Sequence, residues 1–200
     1  MGILDFFWAL KDMKINKIFA LLLVFFSLCA GQNELELAKN AYAQRDFKKA
    51  FLLYQKGCNN GDLYACYALA LAYRDGDGVA KDSKKAYEML DSLCAKSVFG
   101  ACFSLGDFFE QDYQKASLLY QKACDGEHIG ACYKLATLLR SHGESQKALR
   151  LYEKICQSGE ANSCAFAGEI YKKSNATLSQ KYYQKACELG LMLACEKVSE

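Results

Sequence analysis

The 200-residue chain contains no proline. Nothing along it therefore breaks a helix by removing a backbone donor or crowding the preceding turn, so apolar spacing can be read as helix throughout. Histidine is nearly as scarce. His128 and His142 are the whole supply, too few for the clustered imidazoles of a zinc enzyme, and no metal site is expected. A membrane-spanning helix needs about 20 apolar residues, and the run from Ile18 to Leu28 is shorter. Charge bias is also missing. Twenty-five Lys and Arg stand against 23 Asp and Glu, a net charge of +2, without the basic excess that phosphate contacts demand. No nucleic-acid partner is expected.

Cysteine, by contrast, is abundant. Ten of the eleven cysteines form five pairs eight residues apart: Cys58 and Cys66, Cys94 and Cys102, Cys124 and Cys132, Cys156 and Cys164, Cys187 and Cys195. The pairs recur at intervals of 36, 30, 32 and 31 residues, the period of stacked helical hairpins that bury their apolar faces against neighbours. An even set at one repeated spacing implies a disulfide framework formed outside the reducing cytosol. Other cysteine chemistry fails on spacing. Zinc ribbons place their pairs two to four residues apart. The chain has no Cys-x-x-Cys for a redox centre or haem attachment, and no cofactor is expected.

Aligning the chain on the second cysteine of each pair superimposes one set of helices. Three positions on stand Leu69, Leu105, Leu135 and Ala167; four on, Ala70, Gly106, Ala136 and Gly168; seven on, Tyr73, Phe109, Leu139 and Tyr171. Large apolar residues at these steps line a buried stripe, and the small ones let helices approach closely. The partner helices align too. Ala50, Ala86, Ala116, Ala148 and Ser179 precede Tyr54, Leu90, Tyr120, Tyr152 and Tyr183 by four residues. Between paired cysteines lie turn signals such as Asn59-Asn60-Gly61, Asp125-Gly126 and Ser158-Gly159, so each bridge is expected to staple a short helix–turn–helix. The predicted fold is an all-α solenoid of αα-hairpins with one disulfide per repeat.

The N-terminus reads as an export signal. From Met13, Lys14 and Lys17 precede the apolar run, and Cys29, Ala30 and Gly31 supply a small-residue cleavage region. Residues 1–31 are thus expected to be a short extension and a cleaved signal peptide, with 32–200 the repeat domain. Cleavage there removes the odd cysteine, and three lysines with two aspartates, lowering +2 to +1. A lipid anchor on Cys29 would want a small residue before it, where Leu28 stands. The expected location is the bacterial periplasm or the exterior, with membrane contact only through the signal.

Residues 73–86, Tyr-Arg-Asp-Gly-Asp-Gly-Val-Ala-Lys-Asp-Ser-Lys-Lys-Ala, resemble the signature of the Sel-one-like repeat, a relative of the tetratricopeptide repeat. Gly76 and Gly78 suit its inter-helix loop and Asp82 the cap of the following helix. With its added cysteine pairs the chain is similar to the Helicobacter cysteine-rich protein family, over about residues 34–198. That resemblance implies a β-lactamase or penicillin-binding label. The residues name no catalytic constellation for it. No serine is followed by lysine three residues later, and Ser-Asp-Asn and Lys-Thr-Gly are absent. His128 and His142 read as solvated turn residues.

The resemblance also implies a concave groove lined by the first helix of each unit. Transferred by the aligned pattern, the groove positions are Tyr67, Leu71 and Arg74; Phe103, Asp107 and Glu110; Tyr133, Thr137 and Arg140; and Ala165, Glu169 and Lys172. The aromatic column Tyr67, Phe103, Tyr133 stands where the fold does not demand aromatics, and Arg74 and Arg140 are expected to flank Glu110. Aromatic and arginine side chains are favoured at binding centres. The expected partner is a protein, a peptide or a peptidoglycan fragment, with a β-lactam as the enzymatic alternative. Asn175-Ala176-Thr177 matches a glycosylation sequon, yet Lys173 stands where bacterial systems favour an acid, so it reads as a polar loop. Lys84-Lys85 and Lys172-Lys173 read as solvated helix ends.

Overall fold

The computed structural model describes residues 34–198, so the expected extension and signal peptide (1–31), with Cys29, lie outside the described residues. Among the described residues the secondary structure is helical. Helix α1 covers 34–43. There follow α2 (Phe47–Asn59), α3 (Leu63–Asp75), α4 (Ser83–Ala95), α5 (Phe99–Phe108), α6 (Tyr113–Asp125), α7 (Ile129–Ser141), α8 (Ser145–Gln157), α9 (Ala161–Tyr171), α10 (Ala176–Glu188) and α11 (Met192–Val198). The chain divides into two compact units between Met89 and Leu90.

The expected stripes form the core of both units. Ala50, Ala86, Ala116, Ala148 and Ser179 are at most 5% exposed, and Tyr54, Leu90, Tyr120, Tyr152 and Tyr183 at most 7%. In the first unit Ala50, Phe51 and Tyr54 pack with Leu69, Ala72 and Tyr73. In the second, Tyr120, Leu135, Ala136, Tyr152 and Ala167 form one cluster, and Cys156, Cys164, Tyr183, Ala186 and Ala194 another. Gly106 allows close approach: a β-carbon there would lie 2.4 Å from the Tyr120 ring. Phe109 departs from the expected stripe. Helix α5 stops at Phe108, so Phe109 is its C-cap and stays half-buried under Lys115.

All five bridges join the expected partners, with Cα–Cα distances of 4.4–4.8 Å, within the usual range of about 4.4–6.8 Å. Each ties the end of one helix to the start of the next. The turns they span share one conformation, with the third residue after the first cysteine in the left-handed region: Gly61, Ser97, Glu127, Gly159 and Gly190. Glycine accepts that conformation without a steric cost, whereas Ser97 and Glu127, both at φ 63°, carry some strain. The glycine of the Asp125-Gly126 turn signal is therefore not the left-handed residue. Gly126 has φ −86° and lies where a β-carbon would meet the Phe99 ring at 2.2 Å.

Side-chain caps begin most helices by accepting orphan backbone N–H groups. Asp46, Asp62 and Asp112 cap α2, α3 and α6, and Asp82 accepts from the Lys85 N–H at 2.9 Å, as expected. The sequon residue Asn175 caps α10. His128 is not a solvated turn residue. Its Nδ1 accepts from the Ala131 N–H at 3.1 Å, capping α7, and its ring stacks on Phe103. His142 is an exposed turn residue after α7, as expected, and its ring stacks on Tyr113 with centroids 3.9 Å apart.

Candidate functional site

Helices α5, α7 and α9 of the second unit carry the predicted groove residues of three sets, except Glu110 and Lys172, which lie just past the ends of α5 and α9. Phe103 is half-buried, 5.9 Å from the Tyr120 ring and 4.7 Å from His128. Tyr133 is half-buried between Tyr152 and Phe166, each 6.2 Å away. Tyr152 and Phe166 lie 5.1 Å apart. An aromatic cluster thus joins α7, α8 and α9, with Tyr152 fully buried. The Arg140 guanidinium lies 4.5 Å over Phe166, a cation–π arrangement, and donates to Glu169 at 3.1 Å.

The polar residues are interlinked. Asp107 accepts from the Tyr120 hydroxyl at 2.8 Å and lies 3.6 Å from the Lys134 ammonium, which reaches Glu110 at 3.3 Å. Thr137 and Tyr152 share a hydroxyl hydrogen bond of 3.1 Å. Burial first, and then the Asp107 carboxylate, hold the Tyr120 phenol far above its ordinary range, so it remains a neutral donor. Burial also raises Tyr152. Beyond this network, Tyr171 and Tyr182 stack at 5.6 Å and both donate to Glu153. Burial, with that hydrogen bond, pushes Tyr182 up to about 12.

Within the second unit Glu110 is paired by Lys134, and Arg140 by Glu169. Arg74, in the first unit, forms a two-point pair with its neighbour Asp75. Lys172 is the C-cap of α9 and lines a recess of about 480 Å³ with Gln180, Tyr183 and Lys197. The alignment missed Phe166, because α9 carries small Ala165 at the column position and the ring one residue later.

In the first unit Tyr67 is half-buried on α3. Leu71 and Arg74 line a cavity of about 310 Å³ together with aromatic residues of α1 and α2. Among the described residues no group of three or more His, Cys, Asp or Glu is placed to hold a metal ion, and no helix is long and apolar enough to cross a membrane.

The Sel1 repeat family model matches residues 41–62, 63–98, 100–128, 129–160 and 161–191. No curated protein matches the chain. Among solved structures, a Sel1 repeat protein from Oxalobacter formigenes is similar at 22% identity and TM-score 0.71, over 84% of this chain and 76% of that one. A protective antigen of uropathogenic Escherichia coli with the same fold aligns at 20% identity and TM-score 0.69, over 84% of this chain and 40% of that one. YrrB, a tetratricopeptide-repeat protein described as having an unusual peptide-binding site, aligns at 18% identity and TM-score 0.54, over 84% of this chain and 91% of that one. These likenesses establish the fold. Against the repeat limits, each bridge crosses a boundary: Cys58, Cys94, Cys124, Cys156 and Cys187 each lie in one repeat, and their partners lie beyond its end. The staples fasten neighbours together.

Proposed function

The chain belongs to the Sel1 repeat family, and we propose that it is an exported scaffold holding an extended protein, peptide or cell-wall peptide segment against its first helices. Repeats of this type are scaffolds for protein–protein interaction, and in stacked hairpins the first helices face the concave side. Five disulfides point to an oxidising compartment. The export signal before residue 32 makes that compartment the periplasm or the exterior in this reading.

One observation carries the assignment. Phe103, Tyr133 and Phe166 form half-buried rings on successive first helices, although Leu105, Leu135 and Ala167 already fill the core beneath. Each ring packs on that core yet keeps part of its surface exposed, which offers a partner contact area at low entropic cost. Around them, Lys134–Glu110 and Arg140–Glu169 are partly exposed pairs. Such pairs contribute only about 0–1 kcal/mol, so a partner's charges can replace them at little loss. Phe103, Asp107, Glu110, Tyr133, Thr137, Arg140 and Glu169 form this surface in the second unit; Tyr67, Leu71 and Arg74 serve the first.

Calorimetric titration of the oxidised protein with extended peptides and with peptidoglycan fragments tests the reading, alongside a chromogenic cephalosporin. Saturable binding without turnover is expected. Turnover that survives repurification, with no binding of either ligand class, would replace the scaffold by the β-lactamase alternative.

A further inference from the structure

The first unit contains a cavity with its own chemistry. Tyr42 from the end of α1, Phe47, Phe51 and Tyr54 from α2, and Leu71 from α3 line a space of about 310 Å³ that opens to solvent. This volume is at the low end of ligand pockets, about 300–1,000 Å³, and suits one side chain better than a larger molecule. Tyr42 and Phe47 meet edge-on at 5.1 Å, and Phe51 meets Tyr73 edge-on at 5.4 Å, so packing fixes the aromatic wall. Tyr42 remains 44% exposed, offering ring surface to an occupant.

The charged lining is unequal. Arg74, Asp75 and Asp77 line the cavity, a formal balance of −1. Arg74 grips Asp75 through Nε and Nη2, both at 2.8 Å, which holds the Asp75 carboxyl below its usual range. Lys81 adds a further positive influence on Asp75 from outside the lining. Asp77 accepts the Tyr42 hydroxyl at 2.8 Å and forms no ion pair among the described residues. The loop that carries it is seated firmly, since Gly78 lies where a β-carbon would strike the Phe47 carbonyl at 2.2 Å.

We propose that this cavity binds one basic side chain, lysine or arginine, of a partner polypeptide. Its alkyl stem would lie on Phe47, Phe51, Tyr54 and Leu71, and its charge would meet Asp77 beside the Tyr42 ring. The chemistry selects against the alternatives. A purely apolar side chain would desolvate the Asp77 carboxylate without pairing it. An acidic one would meet a net negative rim. A lysine or arginine satisfies both parts at once, because its stem is apolar and its head seeks carboxylates and ring faces. The inference deepens the reading of the chain as a polypeptide binder and rests on it.

The test uses the oxidised, isotope-labelled full chain and short capped alanine peptides whose central residue is arginine, lysine, norleucine or glutamate. Backbone amide shifts are followed to saturation. The arginine and lysine peptides should move resonances within 42–77 and bind at least about tenfold more tightly than the norleucine peptide. Asp77→Asn should abolish that preference. Tyr42→Phe removes the hydroxyl but keeps the carboxylate, and should retain it. Equal affinity for norleucine and lysine peptides, shifts confined to other residues, or no saturation at millimolar peptide would each overturn the assignment. Tyr133→Ala separates the two readings. If this second-unit substitution weakens binding of a longer partner while no short peptide enters the first-unit cavity, only the cavity assignment falls.

Discussion

Removing the Cys124–Cys132 bridge should loosen one specific junction. Its ring closes only nine residues, for which the chain-entropy model gives about 2.5 kcal/mol at 25 °C. For a chain of this size that corresponds to a fall in melting temperature of about 5–10 °C. Both cysteines are buried, so replacement of the pair by alanine avoids burying new polar atoms. The junction lies between repeats 100–128 and 129–160. In a linear array, stability is a sum of repeat terms and neighbour terms, so the loss should appear as reduced coupling between residues before 128 and after 129. Differential scanning calorimetry should show a broader as well as a lower transition. Hydrogen exchange should then divide protection at that junction. The Cys187–Cys195 bridge closes a ring of the same size but fastens α11, of which only Ala194 is buried. Its removal should free α11 and leave the protection of α5–α8 unchanged. An unchanged melting temperature in the first variant, or equal effects of the two deletions along the chain, would refute the idea that the bridges act on neighbour interfaces.

Ser97→Gly and Glu127→Gly should each raise stability by about 0.5–1 kcal/mol, because the left-handed cost removed exceeds the added freedom of glycine in the unfolded chain; denaturant midpoints decide. Tyr182, raised to about 12 from an ordinary value near 10, contributes stability that is fully present below pH 10. That contribution is lost as the pH rises through 12. Tyr182→Phe should remove this share of the alkaline decline, and its ultraviolet titration should show one late-ionising phenol fewer than the parent.

Cysteine spacing and the leucine–small–aromatic columns made the fold legible, because helix periodicity, turn residues and buried stripes are local in sequence. The same columns led to Phe103, Tyr133 and Arg140. Phe166 escaped because its ring fills the space beside Tyr152 from one residue off the column, a fit fixed by the neighbouring helix. Lys134 escaped for a related reason: its ammonium reaches back 24 residues to Glu110, and no repeat alignment ranks such pairings. His128 was misread since a cap depends on where the helix begins. Tyr42 precedes the first cysteine pair, so no column reached α1, and the first-unit cavity was invisible until α1 and α2 came together.

Binding and stability measured together on Tyr133→Ala and Arg140→Ala test the central claim most directly. Tyr133 and Arg140 stand seven residues apart on α7, two turns along one face. If this face receives a polypeptide, each substitution should weaken binding per folded molecule by about 1–3 kcal/mol, whatever stability is lost with the packing of Tyr133 on Tyr152 and Phe166. Loss of folding in Tyr133→Ala, with undiminished binding per folded molecule in both variants, would make these side chains core supports and contradict the account.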